Sequence, residues 1–151
     1  MSTRGLMALS LTQPWASLVA TGAKRLETRS WRTSYRGPLV ICAAKAYPKD
    51  ARELAKMRSF REGLGWPENT DSLPVGVALC LVHLAGCVET DRLEKLEVIG
   101  VKPAAKDLLF GNYERGRWAW ALKDVRAFTP FPVRGALGLW KWPEHLEVPH
   151  V

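Results

Sequence analysis

A chain of 151 residues, 47% hydrophobic and 25% charged, is long enough for one domain with a sizeable core and has the balance of an ordinary globular protein. No apolar run reaches the length of a membrane span, and the N-terminus carries no signal-peptide pattern, so the sequence predicts a soluble, cytoplasmic protein with no membrane partner. The net charge of +7 is unevenly spread: residues 24–61 hold 11 Lys or Arg against 3 Asp or Glu, whereas residues 62–101 hold 2 against 7, a polarity that fits an anionic partner, nucleic acid being the commonest.

Met7 to Leu11 reads as a first strand. Thr12 then caps a helix with Pro14 in its first turn, where a missing N–H is harmless. Trp15, Leu18 and Val19 give that helix an apolar stripe, and Gly22 ends it. Leu26 to Trp31 is a second strand, Leu39 to Ala44 a third that is apolar on both faces. Pro48 to Arg61 reads as one helix with a basic outer face of Lys49, Arg52, Lys56 and Arg61. A polar loop from Gly63 leads to the longest apolar run, Val75 to Val88, a central strand bent at Gly86. Residues 91–106 are polar, and Lys106 to Phe110 forms a helical turn stopped by Gly111-Asn112. From Arg117 to Lys123 the pattern alternates: Trp118, Trp120 and Leu122 share one face, Arg117, Ala119, Ala121 and Lys123 the other. This strand runs on to Phe128, a turn follows at Thr129 to Pro132, and Gly135 to Trp142 is the last strand. The tail, 143–151, is expected to fray. About six strands with two or three short helices, no repeat and no linker predict a single α+β domain over 1–151, a closed or half-closed β-barrel with helices outside it.

Cys42, Cys80 and Cys87 lie inside apolar runs, where an odd count reads as buried reduced thiols. His83, within the central strand, reads as a satisfied core residue, and His145 and His150 fall near the C-terminus. Nothing has metal-ligand spacing, so neither a metal nor a cofactor is expected.

One stretch concentrates chemistry: Gly22-Ala23-Lys24-Arg25-Leu26-Glu27-Thr28-Arg29-Ser30-Trp31. Gly22 delivers the chain into Lys24 at a tight turn, from which an ammonium can reach over a pocket. On a strand, Glu27, Arg29 and Trp31 share one face. A carboxylate, a guanidinium and an indole there can pair among themselves, hold a ligand, or do both. With Trp15 from the preceding helix, a base would stack on an indole while Glu27 and Arg29 read its edge or sugar, and Lys24, Arg32 and Arg36 meet phosphate. Single-stranded or flipped-out RNA would suit such a pocket better than a duplex does. A hydrolase is the rival reading, with Lys24 as base or nucleophile and Glu27 or a distant Glu89, Asp91 or His83 moving the proton. A third reading is a protein-interaction domain whose basic helix docks on an acidic partner.

Leu9-Ser10-Leu11-Thr12-Gln13-Pro14-Trp15-Ala16 followed by Gly22-x-Lys24-x-x-Glu27-x-Arg29-Ser30-Trp31 resembles the ASCH domain family, related to the PUA fold and including bacterial and phage-type members. Its G-x-K-x-x-E-x-R signature is matched at every fixed position. Phe110-Gly111-Asn112-Tyr113-x-x-Gly116-Arg117-Trp118-Ala119-Trp120 is similar to the segment leading into a late strand of those members. The resemblance implies a PUA-like barrel whose cleft, between barrel and first helix, binds RNA or a modified nucleoside, lined by Lys24, Glu27 and Arg29 together with Gln13, Trp15, Gly22, Trp31 and Arg36. Some relatives are amidohydrolases on N4-acetylcytidine that carry a Thr three residues after the Lys. Here Glu27 stands at that position and Thr28 one further. Another relative acts as a ribonuclease on single-stranded RNA.

Overall fold

The computed structural model describes residues 2–149; His150 and the end of the predicted tail lie outside them. Six strands form one sheet: β1 (Met7–Leu11), β2 (Leu26–Arg29), β3 (Gly37–Ala43), β4 (Val77–Glu89), β5 (Trp118–Pro132) and β6 (Leu139–Lys141), in the order β2-β5-β4-β3-β1-β6. The β1–β3 pair is parallel and the other pairs are antiparallel. The sheet curls into a half-barrel. Its edge strand β2 comes back towards β1, where Arg29 Nη2 donates to the Ser10 carbonyl at 2.9 Å.

Alternation along the strands sorts the core onto two faces. Leu9, Leu11, Leu39, Ile41, Leu84, Trp120 and Leu122 form the main cluster, and helix α1 (Trp15–Ala20) adds Ala16 and Val19 to it. Ala8, Val40, Cys42, Ala78, Phe128 and Trp142 pack on the opposite face. Residues Leu39 to Ala43 are all buried, as an apolar run without alternation requires. Ala121 also points to that second face and is covered by the turn Leu93–Ile99, which sets Leu96 against Leu26 and Val101. The stretch expected to be merely polar is thus a lid over one end of the sheet. Its approach explains Gly86: a methyl there would run into Ile99 and Leu96, and the strand register shifts between Leu84 and Gly86.

Four expectations are corrected. The helix from Pro48 to Arg61 is two, α2 (Lys49–Ala55) and α3 (Arg58–Gly63), with Met57 extended between them. Ala51, Ala55 and Phe60 are all buried, yet at about 100° per residue Phe60 would lie half a turn away from Ala51 on a continuous helix. The break lets both faces go inwards. Thr129 to Pro132 is not a turn but the end of β5, extended and paired with β4 as far as Pro132 opposite Val77. The two prolines had suggested punctuation, whereas next to register shifts a strand tolerates their missing N–H groups. The last strand is short, Leu139–Lys141, because the chain before it is held as a loop by Ser10. Finally, Thr12 does not cap α1. Pro14 stands at the N-cap without a side-chain cap bond, and Gln13, the residue before it, accepts from Ser17 N through Oε1 at 2.9 Å. Beyond Pro143, the Leu146 carbonyl accepts from Trp142 Nε1 at 2.7 Å, and Leu146 and Val148 lie against the second cluster.

Burial pushes the Cys42 and Cys80 thiols up to about 12 and raises Cys87 as well. Thiolate is the reactive form, so at pH 8 Ellman's reagent should titrate at most one of the three thiols within minutes, and all of them in guanidinium. Fast reaction of two in the native protein would contradict the packing.

Candidate functional site

Helix α1 ends at Thr21, and Gly22 follows at φ +87°, a left-handed conformation that glycine adopts without strain. The reversal turns Lys24 inwards. The sequence placed its ammonium over a pocket; instead the side chain is 1% exposed. Nζ donates to the Leu26 carbonyl at 2.7 Å and to the Phe110 carbonyl, and sits 3.3 Å from Glu27 Oε1. Three acceptors match the three N–H groups of an ammonium. Burial pulls the Lys24 pKa below its usual 10.5, while Glu27 and then Asp107 oppose that shift.

Glu27 is held from the other side by Arg29, whose Nε donates to Oε2 at 2.9 Å. Glu27 lies opposite Trp120 and Arg29 opposite Trp118 in the register, so both point to the face that α1 covers, as their spacing demands. The carboxylate is thereby clamped between two cations at the side of a cleft of about 770 Å³, within the range of small-ligand sites. Trp15, Phe60 and Phe110 supply aromatic surface to this cleft, and Leu54, Met57 and Leu109 stand at its mouth, partly exposed. Its polar wall comprises Glu27, Arg29, Thr28, Asn112 and Arg117.

The predicted residues divide. Trp15, Glu27 and Arg29 line the cleft together. Lys24 lies behind Glu27 as its counter-ion. Gln13 is fully buried, its Nε2 donating to Ser17 Oγ and to the Pro74 carbonyl; it serves the start of α1. Gly22 shapes the turn before Lys24. Trp31, 40% exposed, follows the end of β2 and packs edge-on against Trp120, beside Gly138 of the cleft wall. Arg32 stacks over Trp118 at 5.7 Å. Arg36 is exposed and bonds the carbonyls of Thr33 and Tyr35. The candidate proton carriers are not cleft residues: His83 is exposed on β4 and not a core histidine, Glu89 is exposed at the strand end, and Asp91 lies 3.7 Å from Arg115.

The sequence reading did not assign a role to the segment from Asp107 to Arg117. Asp107 is fully buried and starts the turn Ala105–Phe110, accepting from Ala104 N and Arg25 Nη2, both at 2.8 Å. That fixes where the Phe110 carbonyl meets Lys24. Asn112 N donates to Thr28 Oγ1 at 3.0 Å, while Arg117 donates through Nε to the Asn112 carbonyl and through Nη2 to the Thr28 carbonyl. An acid at the start of a helical turn, followed by Gly111-Asn112, was the available signal.

A curled six-stranded sheet, mostly antiparallel with one parallel pair, and a short helix against the carboxylate–guanidinium cleft together define the α+β, PUA-like class. The chain belongs to the ASCH domain family, whose model matches residues 9–132. Over 93 residues it is 37% identical to Activating signal cointegrator 1 of Homo sapiens and 36% identical to that of Mus musculus. The matches cover 60% of this chain and 16% of those proteins, so the chain spans only a small part of the curated relatives it matches. ASCH from Zymomonas mobilis superposes with a TM-score of 0.54 at 13% identity, over 94% of this chain and 90% of that one. A point mutant of the same Zymomonas mobilis protein gives a TM-score of 0.52 at 15% identity, over 95% and 92%. At these identities the likeness shows the fold alone. No helix among the described residues is long and apolar enough to cross a membrane.

Proposed function

We propose that the cleft receives one nucleoside, free or as an unstacked nucleotide of single-stranded RNA. The carrying observation is the Glu27–Arg29 pair at the wall of an aromatic-lined cleft. Glu27, paired with Lys24 and Arg29, accepts from the N–H groups of a base edge. Arg29 uses two of its five N–H groups on the fold, through Nε and Nη2, which leaves Nη1 and one Nη2 hydrogen for a base or sugar oxygen. Trp15 offers the stacking surface, and the excess of Lys and Arg favours an anionic strand. The engagement of all three Lys24 N–H groups supports a positioning role for that residue. As base or nucleophile, the roles the hydrolase reading gives it, Lys24 would have to leave the Leu26 and Phe110 carbonyls behind.

The test is a titration of nucleosides, N4-acetylcytidine included, and of a single-stranded RNA hexamer, followed by tryptophan fluorescence at two salt concentrations and by mass spectrometry. Trp15→Ala should weaken nucleoside binding by about 1–3 kcal/mol, roughly 5- to 150-fold. Absence of any binding at moderate salt overturns the reading. A new product mass would put the hydrolase in its place.

A further inference from the structure

The cleft does not end at Leu137. A second groove of about 980 Å³ lies beyond it, sharing Ser10, Ala44 and Leu137 with the first. Its walls are the end of β3 with the segment after it, and the loop that leads from β5 to β6. Among the described residues, Lys45 and Arg134 are the charged ones lining it, both exposed, and neither an acidic side chain nor an aromatic ring lines it with them. Such a groove suits a sugar-phosphate backbone and not a stacked base.

Leu137 stands at the junction, 95% exposed. A single exposed leucine is ordinary, but this one is held on both sides. Ser10 Oγ donates to the Ala136 carbonyl at 2.7 Å, and Ser10 N donates to the Gly138 carbonyl at 3.2 Å. Trp140 Nε1 in turn donates to Ser10 Oγ at 2.9 Å. The loop therefore presents an apolar side chain to water from a pinned backbone, at the point where two cavities meet. Proteins that kink duplexes insert apolar side chains as wedges that unstack neighbouring bases, and Leu137 is placed to keep the cleft base from stacking on its neighbour in the same way.

We infer that the second groove is a subsite for the phosphodiester adjacent to the nucleotide in the cleft, with Lys45 and Arg134 as its cationic contacts and Leu137 as the wedge between the two. This rests on the nucleoside reading of the cleft and narrows it: the ligand is a single strand, read at one base and gripped without regard to sequence at the next phosphate.

The experiment compares a mononucleoside with a single-stranded RNA hexamer on the full chain, across a salt series. Wild type should bind the hexamer at least about tenfold more tightly. Lys45→Ala/Arg134→Ala should abolish that advantage and reduce the salt slope by about 0.7, the value for the one phosphate of a single strand that is no longer neutralised, leaving nucleoside affinity unchanged. Leu137→Ala should weaken the hexamer more than the nucleoside, whose cleft it also borders, and leave the salt slope in place. All these side chains are exposed, so urea midpoints should match wild type and report that the variants are folded. The inference is overturned if wild type binds the nucleoside and the hexamer equally, if the double variant keeps the hexamer affinity, or if a glutamate hexapeptide competes as well as the RNA. Failure of wild type to hold either nucleoside or hexamer would instead sink the reading of the cleft itself, and the subsite with it.

Discussion

Glu27→Leu should cost the fold about 3–5 kcal/mol in urea denaturation at pH 7. Leucine nearly preserves the volume, so the loss is electrostatic. Lys24, 1% exposed, would keep its charge without its carboxylate, and breaking a buried pair from one side carries a cost of that size. A pH signature separates this from a packing defect. The folded-state pKa of Lys24 is already lowered by burial, and Glu27 is the first influence opposing that shift; its removal lowers the pKa further. Between that lowered value and the usual 10.5, the unfolded chain binds more protons than the folded one, so stability rises with pH in that window. The difference between variant and wild type should therefore shrink from pH 7 towards pH 10, the cysteines and tyrosines being common to both. A loss below about 1 kcal/mol, the range of exposed pairs, or a difference that widens with pH, would show that Lys24 does not depend on Glu27.

Phe60→Ala should cost about 3–5 kcal/mol as well, by cavity formation. The ring is 5% exposed and meets Phe110 edge-on at 5.1 Å and Trp15 at 6.4 Å. It anchors α3 to the cluster that includes Leu18, and α3 has only six residues, too few to persist without tertiary contacts. Amide hydrogens over 58–63 should then exchange at the rate of an exposed loop, while those of β4 and β5 stay protected. Protection retained at 58–63, or a loss under about 1 kcal/mol, would mean that α3 is held by something other than this ring. Nucleoside binding should fall with it, because Phe60 and Trp15 share the cleft.

Much of this site was legible because its rules are local. Two-residue spacing put Glu27 and Arg29 on one face, and the structure keeps them there, bonded to each other. Gly22 was readable as the end of α1, and Gly86 as a bend. The burial of Lys24 was not readable, because it depends on the Phe110 carbonyl, which arrives 86 residues later. Neither was the role of Gln13: the sequence offered it to a ligand, and a carbonyl 61 residues away claims its amide. The split of the helix at Met57 shows the same limit. Each half has a reasonable pattern, and only the positions of Ala51 and Phe60 in the core make one continuous helix impossible.

The sequence by itself determined that about six strands with short helices make up the chain, which residue types gather at the charged stretch, and that the chain carries the ASCH signature, since all three follow from neighbours along the backbone. Only the tertiary structure decided that an ammonium would be sealed behind its carboxylate, that Asn112 and Arg117 would close the wall beside Thr28, and that a pinned Leu137 would stand between two grooves. Those outcomes depend on how far the sheet curls and which strands it pairs, and sequence spacing carries no record of either.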